Sequence, residues 1–225
     1  MKPLPQPKWL EQGQLRWAWL SWEPLMMFRR VGYQFEAMEA NARWSEDWFK
    51  RLHSEEYIKK LANAGFNAVS THFHKGFGMK AEAEEMEMTR RLIEICHRHG
   101  IRVFTYVQSM SIMYETFFTE VPEAESWLQK DEHGKVRTYG EQYWRVFPCL
   151  SHDGYIAYIK KVIEKAIRWA KADGVQLDNT GFMACQCDAC QTKFQQYLRK
   201  HHPKPDKARF GIPSPYSSAL FLRFR

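Results

Sequence analysis

No apolar run in this 225-residue chain approaches the roughly 18 residues needed to cross a bilayer, which argues against a membrane-spanning helix. The opening residues, Met1-Lys2-Pro3-Leu4-Pro5-Gln6-Pro7, put proline and charge where a secretory leader needs an unbroken apolar stretch, so the expected compartment is the cytoplasm. Any nucleic-acid module signature is missing too. The surplus of 33 basic over 26 acidic residues, a net charge of +7, is spread along stretches of helical periodicity. It gathers only at Arg29-Arg30 and at Arg199-Lys200-His201-His202 with Lys204 and Lys207, which read as solvated helix ends. Neither nucleic acid nor a membrane is therefore an expected partner. The five cysteines lack the wide, even spacing of a disulfide framework, since three of them fall within six positions. Disorder is excluded by what is abundant: 44% of the residues are hydrophobic and 15% aromatic, ample for a sizeable core.

A structural rhythm runs through the chain with little sequence identity between its turns. Residues 46–64 alternate apolar and charged side chains at helical spacing, Gly65 closes the helix, and 66–71 reads as a strand. Residues 82–99, Gly100 and 101–107 repeat the pattern, as do 155–172, Gly174 and 175–178. Each glycine stands where a helix end favours positive φ, and each strand is short and apolar enough for burial on both faces, as in parallel sheets. Residues 15–20 supply a first strand and 189–201 a last long helix. Four βα units predict an α/β fold, a partial (β/α)8 TIM barrel comprising about its first four βα units. Residues 1–210 would form this domain. The stretch 211–225 shows no further unit and is expected to be an irregular tail left by truncation or a frame shift. Two long connections, 22–45 and 108–149, leave the C-terminal ends of strands, and loops of that length in a compact domain are usually functional. The second carries a turn at Asp131-Glu132-His133-Gly134.

Chemistry concentrates after the last strand. Asp178 and Asn179 end it, where α/β barrels keep their reacting groups; the carboxylate suits a nucleophile, a general acid or a hydroxyl acceptor, and the amide suits donation to a substrate hydroxyl. The alternative is a carboxylate that merely caps the next loop. Cys185-x-Cys187-x-x-Cys190 follows and can fold three thiolates around one ion; a closed tetrahedral site needs a fourth ligand, for which Cys149 is the natural candidate and His152 the reserve. Free thiols packed in a loop are the other reading, and Cys96, on an apolar helix face, reads as core.

His72 and His74 follow the second strand. Side chains alternate in direction along a strand, so only one of the two need face a site unless the strand has already ended. They are candidates for sugar hydroxyls, for catalytic-metal ligation, or for ordinary core packing. Tyr106 and Gln108 end the third strand; Trp19, Trp22 and Glu23 end the first. Nine tryptophans is a high count, and flat rings beside polar donors suit carbohydrate, whose C–H faces are apolar and whose rims are hydroxylated.

Two resemblances sharpen these readings. Phe147-Pro148-Cys149-Leu150-Ser151-His152, a helix, Leu177-Asp178-Asn179-Thr180-Gly181, the cysteine cluster and Phe194-Gln195-Gln196-Tyr197-Leu198 run in the same order as in the barrel β-galactosidases of glycoside hydrolase family 42. The resemblance covers about residues 140–210. It implies a structural zinc held by Cys149, Cys185, Cys187 and Cys190. That family places its acid/base glutamate directly after the asparagine, where this chain has Thr180, so the proton donor does not carry over. His72-Phe73-His74-Lys75-Gly76-Phe77 resembles a segment of barrel α-L-fucosidases. That likeness implies Asp178 as nucleophile and the two histidines as holders of sugar hydroxyls.

The sequence thus predicts a glycoside hydrolase-like protein acting on O-glycosidic bonds, with Asp178 catalytic and Trp22, His72, His74, Tyr106, Gln108 and Asn179 binding carbohydrate. Glycosidic cleavage requires a second carboxyl; Glu23 and Glu115 are distant candidates. Rival readings are a metal-dependent hydrolase built on His72 and His74, and a non-catalytic sugar-binding or scaffold domain. An open half-barrel also exposes a sheet edge, which predicts self-association.

Overall fold

The computed structural model describes residues 7–11, 13–21, 23–30, 42–180 and 184–201. Its strands are β1 (Trp17–Ser21), β2 (Ala68–His74), β3 (Arg102–Gln108), β4 (Ile112–Met113), β5 (Thr138–Tyr139), β6 (Gln142–Val146) and β7 (Gly174–Asp178). The helices are α1 (Lys8–Glu11), α2 (Leu25–Arg30), α3 (Ala42–Leu52), α4 (Glu55–Asn63), α5 (Ala83–Arg98), α6 (Tyr114–Glu120), α7 (Asp153–Glu164) and α8 (Asp188–His201). By contact the chain divides into two units. One comprises Met1–Lys75, Glu82–Val107 and Ile163–Leu177; the other comprises Gly76–Ala81, Gln108–Val162 and Asp178–Arg225.

The first unit carries the main sheet, ordered β1-β2-β3-β7, with parallel pairing from β1 to β2 and from β2 to β3. This is the α/β half-barrel the four βα repeats predict. β2 is buried along its whole length, the condition a parallel strand meets when both faces are covered. On α5, Met86, Thr89, Leu92, Ile93 and Cys96 recur at three- and four-residue intervals and are buried, the stripe of a helix lying on a sheet. Gly65 and Gly100 close α4 and α5 at φ of 85° and 72°, as their positions predict.

Three local expectations change. The helix expected over 46–64 is broken into α3 and α4. Ser54 is the cause: its hydroxyl donates to Arg51 O at 2.7 Å and accepts Tyr57 N at 3.3 Å, so it caps the second helix. Gly174 does not supply the positive φ; Lys171 does, at 64°. Gly174 opens β7 instead, where a Cβ would stand 2.7 Å from the Phe104 ring. The glycine is there for close approach, not for its dihedral freedom. Finally, the helix expected to run to residue 172 ends in a π-helical turn, Lys165–Trp169.

The second unit gives the long connection after β3 a structure of its own, an antiparallel sheet ordered β4-β6-β5. Its core is aromatic: Phe117 meets Tyr158 edge-on at 4.9 Å and Trp127 at 6.5 Å. The Asp131 turn forms as expected, with Asp131 Oδ1 accepting His133 N and Lys135 N, both at 2.9 Å. Among the described residues no helix is long and apolar enough to cross a membrane.

Candidate functional site

In the first unit the end of β2 carries a buried polar constellation. His72 and His74 both reach one carboxylate, Glu82: His72 Nε2 lies 3.2 Å from Oε2 and His74 Nδ1 3.0 Å from Oε1. Both histidines therefore turn the same way, contrary to the expectation that only one need face a site. Residues two apart share a face of a strand, and the pairing slips between them, His72 opposite Tyr106 but His74 opposite Val107. Lys75 N donates to Glu82 Oε2 at 2.6 Å, so one backbone amide and two close imidazoles converge on this carboxylate. Glu82 is fully buried. Burial alone would raise its carboxyl; the charge of His74, then hydrogen bonds from His72 and His74, outweigh that and hold it well below the usual carboxylate range. Next to it, Lys75 Nζ donates to Glu23 Oε1 at 2.6 Å and to Tyr106 OH at 3.4 Å. His53, beneath the same strand, is pushed down to about 4 by burial, against a hydrogen bond to Phe49 O, and is neutral at pH 7.

Sequence reasoning missed Glu82, which read as the first residue of a helix. The only signal was its place just before α5, where an acid satisfies first-turn amides as readily as buried imidazoles. Glu23, a candidate second carboxyl, is tied to Lys75. Glu115 is exposed on the first turn of α6. Trp22 lies outside the described residues.

In the second unit, Asp178 and Asn179 are held from the end of β3. Asp178 O accepts Ser109 N at 3.1 Å and Ser109 Oγ at 2.7 Å. The Asn179 amide donates to Gln108 Oε1 at 3.0 Å and to Asp178 Oδ2 at 2.9 Å. Asn179 adopts φ of 55°, the left-handed region that asparagine tolerates better than most residues. Both directions of this NH2 group, expected to donate to a substrate hydroxyl, meet protein acceptors in this structure.

The same unit gathers Cys149, Cys185, Cys187 and Cys190. All four are buried, and their sulfurs lie within 4.8 Å of one another, with Cys149 and Cys190 at 3.3 Å. Four sulfurs at about 2.3 Å from a shared ion lie about 3.8 Å apart, so the donor set fits a tetrahedral metal. Backbone amides of Ser151 and Cys187 point at Cys149 Sγ and Cys185 Sγ, both at 3.4 Å, which favours thiolate. Within the cluster, hydrogen bonding from Cys149 draws Cys185 down to about 7 and Cys190 lower still. Cys149 itself is pushed up by the other three sulfurs, and, against the lowering effect of Cys149, Cys187 is raised by Cys185 and Cys190. Of the two candidates for a fourth ligand, Cys149 lies with the other three sulfurs, whereas His152 Nδ1 accepts Gly154 N at 3.2 Å at the start of α7. Cys96 is buried on α5, as expected.

Comparison with solved structures now bears on these ends of strands. The chain aligns with α-L-fucosidase isoenzyme 2 from Paenibacillus thiaminolyticus at a TM-score of 0.54 and 15% identity, over 82% of this chain and 26% of that one. The fold is that of part of a (β/α)8 barrel. A β-galactosidase from the psychrophilic Marinomonas ef1 aligns at 0.49 and 15% identity, over 84% of this chain and 25% of that one. The α-galactosidase TtGalA from Thermus thermophilus aligns at 0.46 and 15%, over 74% and 31%. The chain therefore spans about a quarter to a third of the length of these barrel enzymes. No protein-family model matches it, and no curated protein matches it. Within the barrel frame, His74, Gln108 and Asp178 stand at the C-terminal ends of β2, β3 and β7, with His72 and Tyr106 two residues earlier on their strands.

Proposed function

We propose that this chain belongs to a glycoside hydrolase acting on O-glycosidic bonds, with Asp178 as the reacting carboxylate, nucleophile or acid. The observation that carries the reading is an acid at the C-terminal end of the fourth strand of a hydrolase-type sheet, with its main chain pinned by Ser109. His72, His74, Tyr106, Gln108 and Trp22 are the proposed carbohydrate contacts, and Cys149, Cys185, Cys187 and Cys190 the proposed holders of a structural zinc, as in the family 42 likeness. Zinc is favoured over other ions because four thiolates in a closed shell suit a d10 cation without a geometric preference of its own. The zinc would brace the loop and supply no chemistry. The cytoplasm is the proposed compartment, and self-association through the open sheet edge a proposed property.

The test is a panel of nitrophenyl glycosides together with sugar binding followed by NMR, for the chain and for Asp178→Asn. A four-strand unit is expected to bind sugar and turn it over weakly or not at all, because the second carboxyl of the reaction is not supplied by these strand ends. Turnover that survives Asp178→Asn unchanged, or a chain that neither binds nor cleaves any sugar of the panel, refutes the reading. The metal-dependent rival built on His72 and His74 gains nothing from the geometry, since both rings are directed at Glu82.

A further inference from the structure

We infer that Asn179 is a positioning residue that fixes the Asp178 carboxylate, and that Gln108 acts through it. The inference rests on Asp178 being the reacting group. Two parallel struts run from the end of β3 to the end of β7. In the first, Tyr155 OH donates to Ser109 O at 2.8 Å, and Ser109 N and Oγ both donate to Asp178 O. Burial pushes the Tyr155 phenol up, so it stays protonated and remains a donor. This strut sets the backbone from which the acid projects. The second sets the side chain. Gln108 Oε1 accepts one Nδ2 hydrogen of Asn179, which leaves the other aimed at Asp178 Oδ2. Asn179 Nδ2 faces both oxygens at hydrogen-bond distance, so both amide hydrogens are directed at protein acceptors.

A positive φ on a residue other than glycine is a strained conformation kept where surrounding structure enforces it. Here it is what turns the Asn179 amide back over the preceding side chain. An asparagine that met substrate directly would keep an N–H for it; this one has committed both. Adjacent residues on one strand end, Gln108 and Ser109, thus hold adjacent residues on the other, Asn179 and Asp178.

The experiment is a measurement of the Asp178 χ1 rotamer through three-bond scalar couplings in the labelled 225-residue chain. It compares wild type with Asn179→Ala, Asn179→Gly and Gln108→Ala, alongside hydrolysis kinetics. Asn179→Gly keeps the backbone conformation accessible, so it covers the case in which the alanine variant fails to fold. Wild type is expected to show one dominant Asp178 rotamer, and each variant an average over at least two. Where hydrolysis is measurable, kcat is expected to fall roughly tenfold to a hundredfold in the Asn179 variants, with KM within about twofold and no additivity on combining Gln108→Ala. A single rotamer retained in Asn179→Gly overturns the inference, as does a rise in KM at constant kcat. Where wild type shows no hydrolysis, the rotamer result alone decides the role of Asn179, and failure to bind any sugar of the panel counts against the proposed function alone.

Discussion

Replacing Glu82 by glutamine tests whether the buried constellation at the end of β2 is an ionic one. The substitution keeps volume and removes charge. The carboxylate meets His72 Nε2 at 3.2 Å and His74 Nδ1 at 3.0 Å, and accepts Lys75 N at 2.6 Å. Glutamine offers one acceptor oxygen and turns an NH2 group toward a donor it cannot satisfy. Breaking one member of a buried charged cluster costs about 3–5 kcal/mol, a large share of the ~5–15 kcal/mol that keeps a domain folded. The pH dependence supplies a second signature. The Glu82 carboxyl sits lower in the folded chain than in the unfolded one. Its contribution is therefore complete above the ordinary carboxylate range and is lost as pH falls through and below it. The loss proceeds at no more than about 1.4 kcal/mol per pH unit for one proton. Urea unfolding followed by tryptophan fluorescence, at steps from pH 7 to pH 3.5, is the assay. The gap between wild type and Glu82→Gln should be about 3–5 kcal/mol at pH 7 and should narrow toward acid. Equal stability at pH 7, or a gap that stays constant with pH, refutes an ionised Glu82.

Three further outcomes are expected. Gly174→Ala should cost about 1–3 kcal/mol, because its Cβ would stand 2.7 Å from the Phe104 ring, and Phe104→Leu should recover part of that in a double-mutant cycle; a cost independent of residue 104 contradicts the close-approach account. Lys171→Gly should stabilise by about 1 kcal/mol in the same unfolding assay, since glycine relieves the positive φ of 64°, and a destabilised variant would show that the lysine side chain matters more than its backbone. Protein purified without chelator should carry about one zinc by mass spectrometry, Cys190→Ser should lower that fraction sharply, and a chelator should depress Tm in wild type but little in the variant.

Much of the architecture was legible because it rests on short-range chemistry. Gly65 and Gly100 mark helix ends, the βα rhythm gives the parallel sheet, and the spacing of Cys185, Cys187 and Cys190 gives the sulfur cluster. What escaped lay in contacts between residues far apart in sequence. Gly174 is required by Phe104, 70 positions away, and reads locally like any helix-ending glycine. Ser54 was legible in principle as a cap followed by Glu55 and Glu56, but the apolar period of 46–64 continues across it and masks the break.

The histidine pair shows why side-chain direction is harder to read than element type. A strand pattern fixes which residues share a face, and His72 and His74, two apart, share one. What they face depends on where the next helix begins, and Glu82 becomes their partner only because α5 starts immediately after it. The same holds for Asn179. Its residue type and position were evident, yet its role turns on a backbone dihedral that no spacing encodes and on Gln108, 71 residues earlier, accepting one of its two hydrogens. Candidate site residues were therefore found by chemistry and place, while their division of labour was decided by partners brought in from other strands and helices.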